Sequence, residues 1–410
     1  MIMNGEKALL DFYKETYQKE MIKVNERIYH FFSYGHSNAT AIIGETSVIL
    51  IDTLDCDVFA KEMLKDLQTI TNKPVETIIY THNHPDHRGG AGVFKDTVKE
   101  IIAFTPVKPM LKHYDKINDV LMQRGHDQHG YGLTDEEAIC QGIGKREGKE
   151  TNQGHYTFVT PTTLYEQSLS RTIDGVSLQL VRAPGETDDQ IFVWLEDDQV
   201  ICTGDNYYGV FPALYAIRGT QYRDLATWVE TLDNILSYPS IALLPGHTKP
   251  LFSYQEIQEV VGNFKKAIEF ILFETLECMN KGMTIDETVE HVQLPSQLSH
   301  LPYLKEYYGM VEWAVKSVYV GYVGWFDGNP VNLLPLYQKE YYQELKALIG
   351  EEKLLDKINQ CMNNQQYQLA LQLLELTDYP QLKKECLLQR AKQVTSANAR
   401  HYYIARAKRL

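Results

Sequence analysis

The fold is decided by residues 76–90, ETIIYTHNHPDHRGG, in this chain of 410 residues. Val75–Tyr80 is rich in β-branched and aromatic residues and predicts a strand. The turn that follows carries metal-competent side chains at His82, His84, Asp86 and His87. A single histidine is usually a surface or packed residue, but imidazole and carboxylate at this density suit a borderline divalent ion such as Zn²⁺. The segment therefore predicts a metal site at the end of a strand.

Three later turns offer further ligands. Glu186 lies in RAPGETDDQ, Asp205 in ICTGDN and His247 in LLPGHTKP. Each follows a predicted strand and sits in a Gly-containing turn, where the backbone can bend sharply at the sheet edge. Taken singly, Glu186 and Asp205 would be ordinary loop acids. Together with the first cluster they predict a two-metal site, in which one ion is bound by His82, His84 and Glu186, the other by Asp86, His87 and His247, and both by a bridging Asp205.

Such a pair of ions has a recognised chemistry. Two divalent ions about 3.5–4 Å apart lower the pKa of a bridging water and clamp the attacking and leaving oxygens. Asp52, in ILIDT, is expected to brace this site from behind.

Strand and helix patterns alternate through about the first 250 residues. The predicted strands are Arg27–Phe32, Ala39–Ile43, Ser47–Asp52, Val75–Tyr80, Ile101–Phe104, Tyr156–Val159, Ser177–Arg182, Ile191–Leu195, Val200–Thr203 and Ile241–Leu244. Helical spacing is found over Val58–Thr71, Arg88–Phe94, 106–122 and Asp224–Ser237. The Gly- and His-rich stretch 125–155 is expected to be an irregular functional loop. This order indicates an α/β sandwich with active-site loops at the sheet edges.

Strand signals vanish after about residue 250. The remaining chain predicts helices over Tyr254–Lys281, Ile285–Val292, Tyr303–Tyr319, Tyr337–Leu348, Glu352–Met362, Tyr367–Leu376 and Ser396–Lys408. We therefore divide the chain into a catalytic domain, 1–252, and a helical domain, 253–410. Residues 383–410 contain eight Lys or Arg and one acid. They are expected to form a solvated helix face that docks on the acidic body, or else a docking site for an acidic partner.

Composition excludes several classes of protein. With 40 Lys+Arg against 54 Asp+Glu the net charge is −14, which disfavours general affinity for nucleic acid or anionic membranes. No apolar run approaches the ~18 residues of a membrane helix, and residues 1–20 have the pattern of a polar amphipathic helix without an apolar signal core. The six cysteines form no CxxC pair, which is typical of reduced thiols. A cytoplasmic protein is the expectation.

The order of the motifs resembles the metallo-β-lactamase superfamily of metal-dependent hydrolases. Most members have His after the first Pro-Gly turn, where this chain has Glu186, and that substitution resembles the alkylsulfatase branch. The likeness covers about residues 20–410, and its specific segments are QGIGK (141–145), IDGV (173–176), FPALYAIRGTQYRD (211–224), YGMVEWAVKSVYVGYVGWFDGNP (308–330) and SANARHYYIARA (396–407). Segment 308–330 is similar to that family's dimerisation domain.

The resemblance implies an α+β fold, an αββα sandwich followed by an all-α dimerisation domain, and a homodimer. It implies two divalent metal ions, expected to be Zn²⁺, and cleavage of a sulfate ester by metal-bound hydroxide, with Asp86 and Arg218 as catalytic residues. The guanidinium of Arg218 would grip the sulfate, because its fork suits a tetrahedral oxyanion; an isolated Arg would otherwise form a surface ion pair. Tyr131 and Lys145 are further candidates for substrate contact, or else belong to a mobile polar loop.

Two other functions stay open at this point. The same site could hydrolyse another ester, a lactone or a phosphodiester, or the chain could be a non-catalytic metal-binding interaction protein; the presence of all seven candidate ligands favours catalysis. Alkylsulfatases of this family usually carry a further C-terminal domain similar to sterol carrier proteins. The sequence ends at Leu410, after the helical region, so no such domain is expected and the alkyl chain length of the substrate is left open.

Overall fold

Two mixed β-sheets face each other in the computed structural model, which describes residues 4–410. The first sheet has the sequential order β1 Glu20–Lys23, β2 Ile28–Phe32, β3 Ala39–Ile43, β4 Val48–Ile51, β5 Val75–Ile79, β6 Glu100–Phe104 and β7 Thr163–Tyr165. The second comprises β8 Leu169–Ile173, β9 Val176–Arg182, β10 Ile191–Leu195, β11 Val200–Gly204, β12 Ala242–Pro245 and β13 Leu251–Phe252. The pairs β4–β5, β5–β6, β6–β7 and β11–β12 are parallel, and the other pairs are antiparallel.

Helices cover the outer faces of the sheets and form the C-terminal region. They are α1 Gly5–Thr16, α2 Asp57–Leu67, α3 Pro85–Arg88, α4 Asn118–His129, α5 Asp135–Ala138, α6 Leu225–Ser237, α7 Tyr254–Asn280, α8 Ile285–His291, α9 Ser296–Ser299, α10 Val311–Val323, α11 Gln338–Ile349, α12 Glu351–Asn363, α13 Tyr367–Leu374, α14 Pro380–Gln393 and α15 Ala397–Ala407. None of the helices within residues 4–410 has the length and apolar character needed to span a bilayer.

The core is divided into layers by the sheets. Between the sheets, Ile49 and Ile79 of the first pack with Leu180 and Val193 of the second in one buried apolar cluster. A second cluster joins the outer face of the first sheet to α2, and a third joins the outer face of the second sheet to α6 and α7. Alternating side chains of a strand point to opposite faces, so strands covered on both faces are apolar throughout. These layers confirm the predicted αββα sandwich.

The structure differs from the sequence prediction near residues 81–90, the turn after β5 that carries His82, His84, Asp86 and His87 and is called the metal-ligand turn below. The predicted strand Tyr156–Val159 joins neither sheet. The backbone N–H of Thr157 donates to the carbonyl oxygen of Gly89, and its carbonyl oxygen accepts from the N–H of Gly92, so these groups are not available to a sheet. The predicted helix Arg88–Phe94 is found as the end of α3 and a separate 3-10 turn at Ala91–Phe94, with Gly89 and Gly90 between them. A Cβ at Gly89 would lie 1.9 Å from the carbonyl oxygen of Asp55, so only glycine fits there.

Other boundaries also shift. Residues 106–113 are irregular and end with His113 in the left-handed region, and helix begins only with a short 3-10 turn at Tyr114–Ile117 that leads into α4. The helix predicted from Tyr303 begins at Val311, after a 3-10 turn at Pro302–Leu304. Helices α5, α9 and α14 and strands β1, β7, β8 and β13 are not among the predicted elements. The start of the predicted first helix, residues 1–3, lies outside the described residues.

The basic C-terminal segment docks on acidic side chains of the rest of the chain, as predicted. Arg409 Nη1 donates to Asp127 at 2.8 Å, and Lys408 donates to Glu137 at 2.6 Å. The buried Arg400 reaches Glu6 of α1 at 2.8 Å. Helix α15 thereby connects the helical region to the loop that contains α4 and α5.

Candidate metal centre

The metal-ligand turn begins where β5 ends. Helix α3 has only four residues and starts at Pro85, a residue favoured at the first helical position because its fixed φ suits the helix and it lacks the N–H that would be unpaired there. His84 is extended at the N-cap, with φ −63° and ψ 140°. His82 and His84 therefore lie before the helical turn, whereas Asp86 and His87 lie within it. His82 and His84 belong to one group of candidate ligands, and Asp86 and His87 belong to another.

The first ligand group consists of His82, His84, Glu186 and Asp205, with one ligand atom of each lying within 4.8 Å of the others. His84 Nδ1 is 3.4 Å from Glu186 Oε2, and His82 Nε2 is 3.7 Å from Asp205 Oδ2. Glu186 comes from the turn after β9 and Asp205 from the end of β11. This is the set of side chains that the sequence predicted for one ion.

The second ligand group consists of Asp86, His87, Asp205 and His247. His247 Nε2 lies 3.2 Å from Asp86 Oδ2 and 3.3 Å from Asp205 Oδ2. His87 Nε2 lies 3.3 Å from Asp86 Oδ2 and 3.3 Å from Asp205 Oδ1. Asp205 is thus the carboxylate that both groups share.

The structure adds His36 to this region. Its Nε2 is 3.8 Å from Asp86 Oδ2, and it forms a further compact group with Asp86 and His247. From the sequence, His36 and Asn38 in YGHSNAT are expected to lie near the site, with a structural role in the turn. The contact of His36 with Asp86 and His247 itself is not predicted, because it joins the loop after β2 to segments that are distant in the sequence.

The close packing of the turns requires glycine at one position in particular. A Cβ at Gly246 would lie 2.2 Å from Asp205 Oδ1 and 2.8 Å from His87 Cε1. The glycine that precedes His247 therefore leaves space for the shared carboxylate. His247 is itself oriented by a contact of 3.0 Å between its Nδ1 and the carbonyl oxygen of His36.

The residues fit divalent cations for two reasons, which are the unpaired buried polar atoms of the site and the chemical type of its ligands. His82 Nε2 and Asp205 Oδ1 are buried, and neither makes a contact with hydrogen-bond geometry among residues 4–410, although His87 Nε2 lies 3.3 Å from Asp205 Oδ1. Buried polar atoms in folded proteins are nearly always paired, so these two atoms call for a partner that the described side chains do not provide. Imidazole and carboxylate ligands suit borderline divalent ions.

Charge and burial act in opposite directions on the histidines. Burial lowers the pKa of His82 well below its usual value. Burial also acts to lower the pKa of His247, but the neighbouring Asp205 and Asp86 carboxylates outweigh it and raise the pKa to about 10. A cation in the second group would therefore displace protons, because histidine binds metal in its neutral form.

A cavity of about 650 Å³ opens onto both ligand groups. Arg218 and Tyr131 line it, and Arg218 Nη2 lies 3.3 Å from His84 Nε2. The backbone N–H of Arg218 donates to Gln128 Oε1 at 2.8 Å. The Lys145 side chain is directed elsewhere, with its Nζ 5.3 Å from the centre of the Phe59 ring. Of the three residues predicted to contact substrate, two therefore face the cavity.

The cavity wall contains an acidic cluster that is not among the predicted site residues. Glu147 lines the cavity, and Glu150 lies fully buried behind it, within the same compact group as His129. Burial, together with the nearby Asp86 and Asp55, raises the pKa of Glu147 to about 8. These acids lie in the stretch 125–155, where the sequence shows charge but no spacing that would group them.

Comparison with known proteins defines the class. Residues 33–247, just over half of the chain, match the family model of the metallo-beta-lactamase superfamily. The chain belongs to the metallo-β-lactamase superfamily. Within it the resemblance is to alkylsulfatases, since residues 284–410 match the family model described as alkyl sulfatase dimerisation.

Individual relatives agree with this grouping. A linear primary-alkylsulfatase from Pseudomonas sp. is 34% identical over 74% of this chain and 59% of its own length. The alkyl/aryl-sulfatase BDS1 from Saccharomyces cerevisiae is 30% identical over 80% of this chain and 53% of its own length. A solved double mutant of the sec-alkyl sulfatase PisA1 superposes with a TM-score of 0.85 at 25% identity, covering 98% of this chain and 67% of that one. The chain thus spans less than two thirds of the curated relatives it matches.

Proposed function

We propose that this protein is a binuclear metal-dependent hydrolase that cleaves an alkyl sulfate ester. The observation that carries the proposal is the convergence of both ligand groups and the Arg218 guanidinium on one cavity. Divalent cations, which we propose to be Zn²⁺, would when bound lower the pKa of water and offset negative charge on the ester. The curated relatives named as alkylsulfatases support the choice of substrate class.

The chain's own residues have distinct parts in this proposal. Arg218 binds the sulfate oxygens, because a guanidinium donates two parallel hydrogen bonds to a tetrahedral anion. Asp86 belongs to the second ligand group, and we propose that it also helps to orient the attacking water. Apolar side chains of Met110, Leu121 and Ile143 line the same cavity and offer contact surface to the alkyl group. Tyr131 faces the cavity and is proposed to contact substrate.

We also propose that two copies of the chain form a homodimer through the helical region. Large apolar side chains are exposed there: Trp325, Leu334, Tyr337 and Leu348 have 70%, 92%, 85% and 83% of their surface accessible. Exposed apolar area of this kind usually marks an interface. Light scattering on the purified protein tests this, and a monomer at micromolar concentration would contradict it.

A hydrolysis screen tests the activity. The Zn²⁺-loaded protein is assayed on short and long alkyl sulfates, aryl sulfates, phosphodiesters and lactones, with sulfate, phosphate or acid release as the readout. The expected result is turnover of alkyl sulfates that exceeds turnover of every other class. Preferential cleavage of a lactone or phosphodiester would replace the proposal with another hydrolase activity at the same centre.

A further inference from the structure

Arg223 forms a buried ion pair with a member of the first ligand group. Its Nη1 donates to Glu186 Oε1 at 2.7 Å, and the same nitrogen also donates to the carbonyl oxygen of Ala213. Only 5% of the Arg223 side chain and 3% of the Glu186 side chain are exposed. Pairs this deeply buried persist only where both partners are well compensated, because each charge has left water.

The two oxygens of Glu186 have separate environments. Oε1 accepts from Arg223, whereas Oε2 faces His84 Nδ1 at 3.4 Å, within the ligand group. A carboxylate held in this way offers one oxygen to a cation, and its other oxygen is fixed by the arginine. The orientation of the ligand is thus set by a neighbour outside the ligand group.

The backbone holds Arg223 in place from two sides. Asp224, the next residue, caps helix α6 by accepting from Ala226 N at 3.2 Å. On the other side, Ala213 belongs to the loop that also carries Arg218. Arg223 therefore ties together the Glu186 turn, the Arg218 loop and the start of α6.

We propose that Arg223 is the positioning residue of Glu186, which it holds as a one-oxygen metal ligand while offsetting its charge. This inference rests on the proposed metal centre, and it extends that centre by naming what orients its most distinctive ligand. Partners that orient a ligand in this way typically contribute about 10–100-fold to metal affinity.

A competing role for Arg223 is contact with the anionic substrate. This role also has a basis, since Arg223 lines the cavity and its Nε has no protein partner among residues 4–410.

A double-mutant cycle on metal affinity tests the positioning role. The variants are Arg223→Met, Glu186→His and the two combined, with Zn²⁺ affinity and stoichiometry measured by chelator competition. We expect Arg223→Met to weaken one of the two bound ions by about 10–100-fold and to leave the other unchanged. A histidine ligand is neutral and needs no cationic partner, so Arg223→Met should have little further effect in the Glu186→His background.

Two further variants make the result specific. Arg171→Met removes an arginine that pairs with Glu100 and does not line the cavity, and it should leave metal affinity unchanged. Arg223→Lys retains the charge without the planar fork, so this variant should bind metal with an affinity between those of the wild type and Arg223→Met. Circular dichroism checks folding, and if Arg223→Met does not fold, Arg223→Lys takes its place in the cycle.

The outcomes separate this inference from the proposed function. An equal loss of affinity from Arg223→Met in the wild-type and Glu186→His backgrounds, or unchanged affinity with a raised KM for sulfate esters, would overturn the positioning role. If the wild-type protein binds two ions and the cycle behaves as expected but no sulfate ester is cleaved, the proposed substrate fails and the role of Arg223 stands.

Discussion

The Nδ1 atom of His87 lies 2.7 Å from Oδ2 of Asp52, on the side of the imidazole away from the ligand groups. Asp52 also accepts from the backbone N–H and the hydroxyl of Thr81, each at 2.8 Å. The carboxylate is therefore fixed by the residues that follow β5 and in turn fixes the ring, so that His87 Nε2 points at Asp86 and Asp205. This contact is the brace behind the site that the ILIDT motif predicted.

Replacing Asp52 should weaken metal binding. In Asp52→Ala the His87 ring loses its acceptor, and we expect Zn²⁺ affinity to fall by about 10–100-fold, as for other carboxylates that orient a histidine ligand. Titration against a chelator measures the change. Asp174→Ala is the matched control, because Asp174 also accepts several hydrogen bonds, but from Thr46 and Ser47 in a distant turn. Equal affinity losses in the two variants would show that general destabilisation, and not the contact to His87, is responsible.

Removing the Arg218 guanidinium should discriminate between substrates by charge. A hydrogen bond to a charged group contributes about 1.5–3 kcal/mol, so Arg218→Met is expected to reduce kcat/KM for an alkyl sulfate by about 10–100-fold. A neutral lactone, if it is turned over at all, should lose far less. Steady-state kinetics on both substrates provide the comparison. Equal losses on both would refute a sulfate-binding role.

The acid in the cavity wall should make stability depend on pH. Burial is the main reason that the pKa of Glu147 in the folded protein is about 8, against 4.5 for an ordinary glutamate. A carboxyl with a raised pKa stabilises the fold when protonated, so this contribution is complete below pH 4.5 and is lost as pH rises through about 8.

Urea unfolding of the chelator-treated protein across this range tests the expectation. The free energy of unfolding of the wild type should decline towards pH 8 relative to Glu147→Gln, whose neutral amide does not titrate. Parallel pH profiles for the two proteins would rule out a proton held at Glu147. Glu26→Gln, an exposed glutamate paired with Lys23, serves as the control and should leave the wild-type profile unchanged.

Helix α15 should influence the substrate cavity through His401. The buried His401 ring places Nδ1 2.9 Å from the carbonyl oxygen of Gln128 and Nε2 3.0 Å from that of Ala138. Gln128 in turn accepts the backbone N–H of Arg218. We expect His401→Ala to destabilise the protein by about 1–3 kcal/mol, because the neutral ring donates to one of these carbonyl oxygens and its loss leaves that buried group unpaired, and to raise KM for an alkyl sulfate.

Thermal unfolding and steady-state kinetics of His401→Ala provide the two measurements. His300→Ala, an exposed histidine of the helical region, is the control. A loss of stability with an unchanged KM would show that α15 supports the fold without affecting the cavity.

The parts of the site that could be predicted from the sequence share one property. Each of these ligands lies within a few residues of a recognisable strand or turn motif. The strand-turn pattern around His82 and the Pro-Gly and Gly-Asp turns before Glu186, Asp205 and His247 are visible within a few residues. These turns follow strands of both sheets, and the predicted sandwich with active-site loops at the sheet edges brings them together.

What could not be predicted depends on contacts between distant segments. The contact of His36 with Asp86, the ion pair of Arg223 with Glu186 and the grouping of Glu147 with Glu150 arise only when loops pack against one another. The same is true of the predicted strand Tyr156–Val159, whose backbone is used by the metal-ligand turn. Local propensity is overridden there by tertiary hydrogen bonding.

The most direct test of the central claim is sulfate release from a short-chain alkyl sulfate, measured together with metal content per chain. We predict turnover when about two Zn²⁺ ions are bound, loss of turnover after chelation, and recovery when the ions are restored. Asp205→Ala, which removes the carboxylate shared by both ligand groups, should stay inactive after the same treatment. Sulfate release that persists in the metal-stripped protein, or none from protein that carries two ions, would contradict the account.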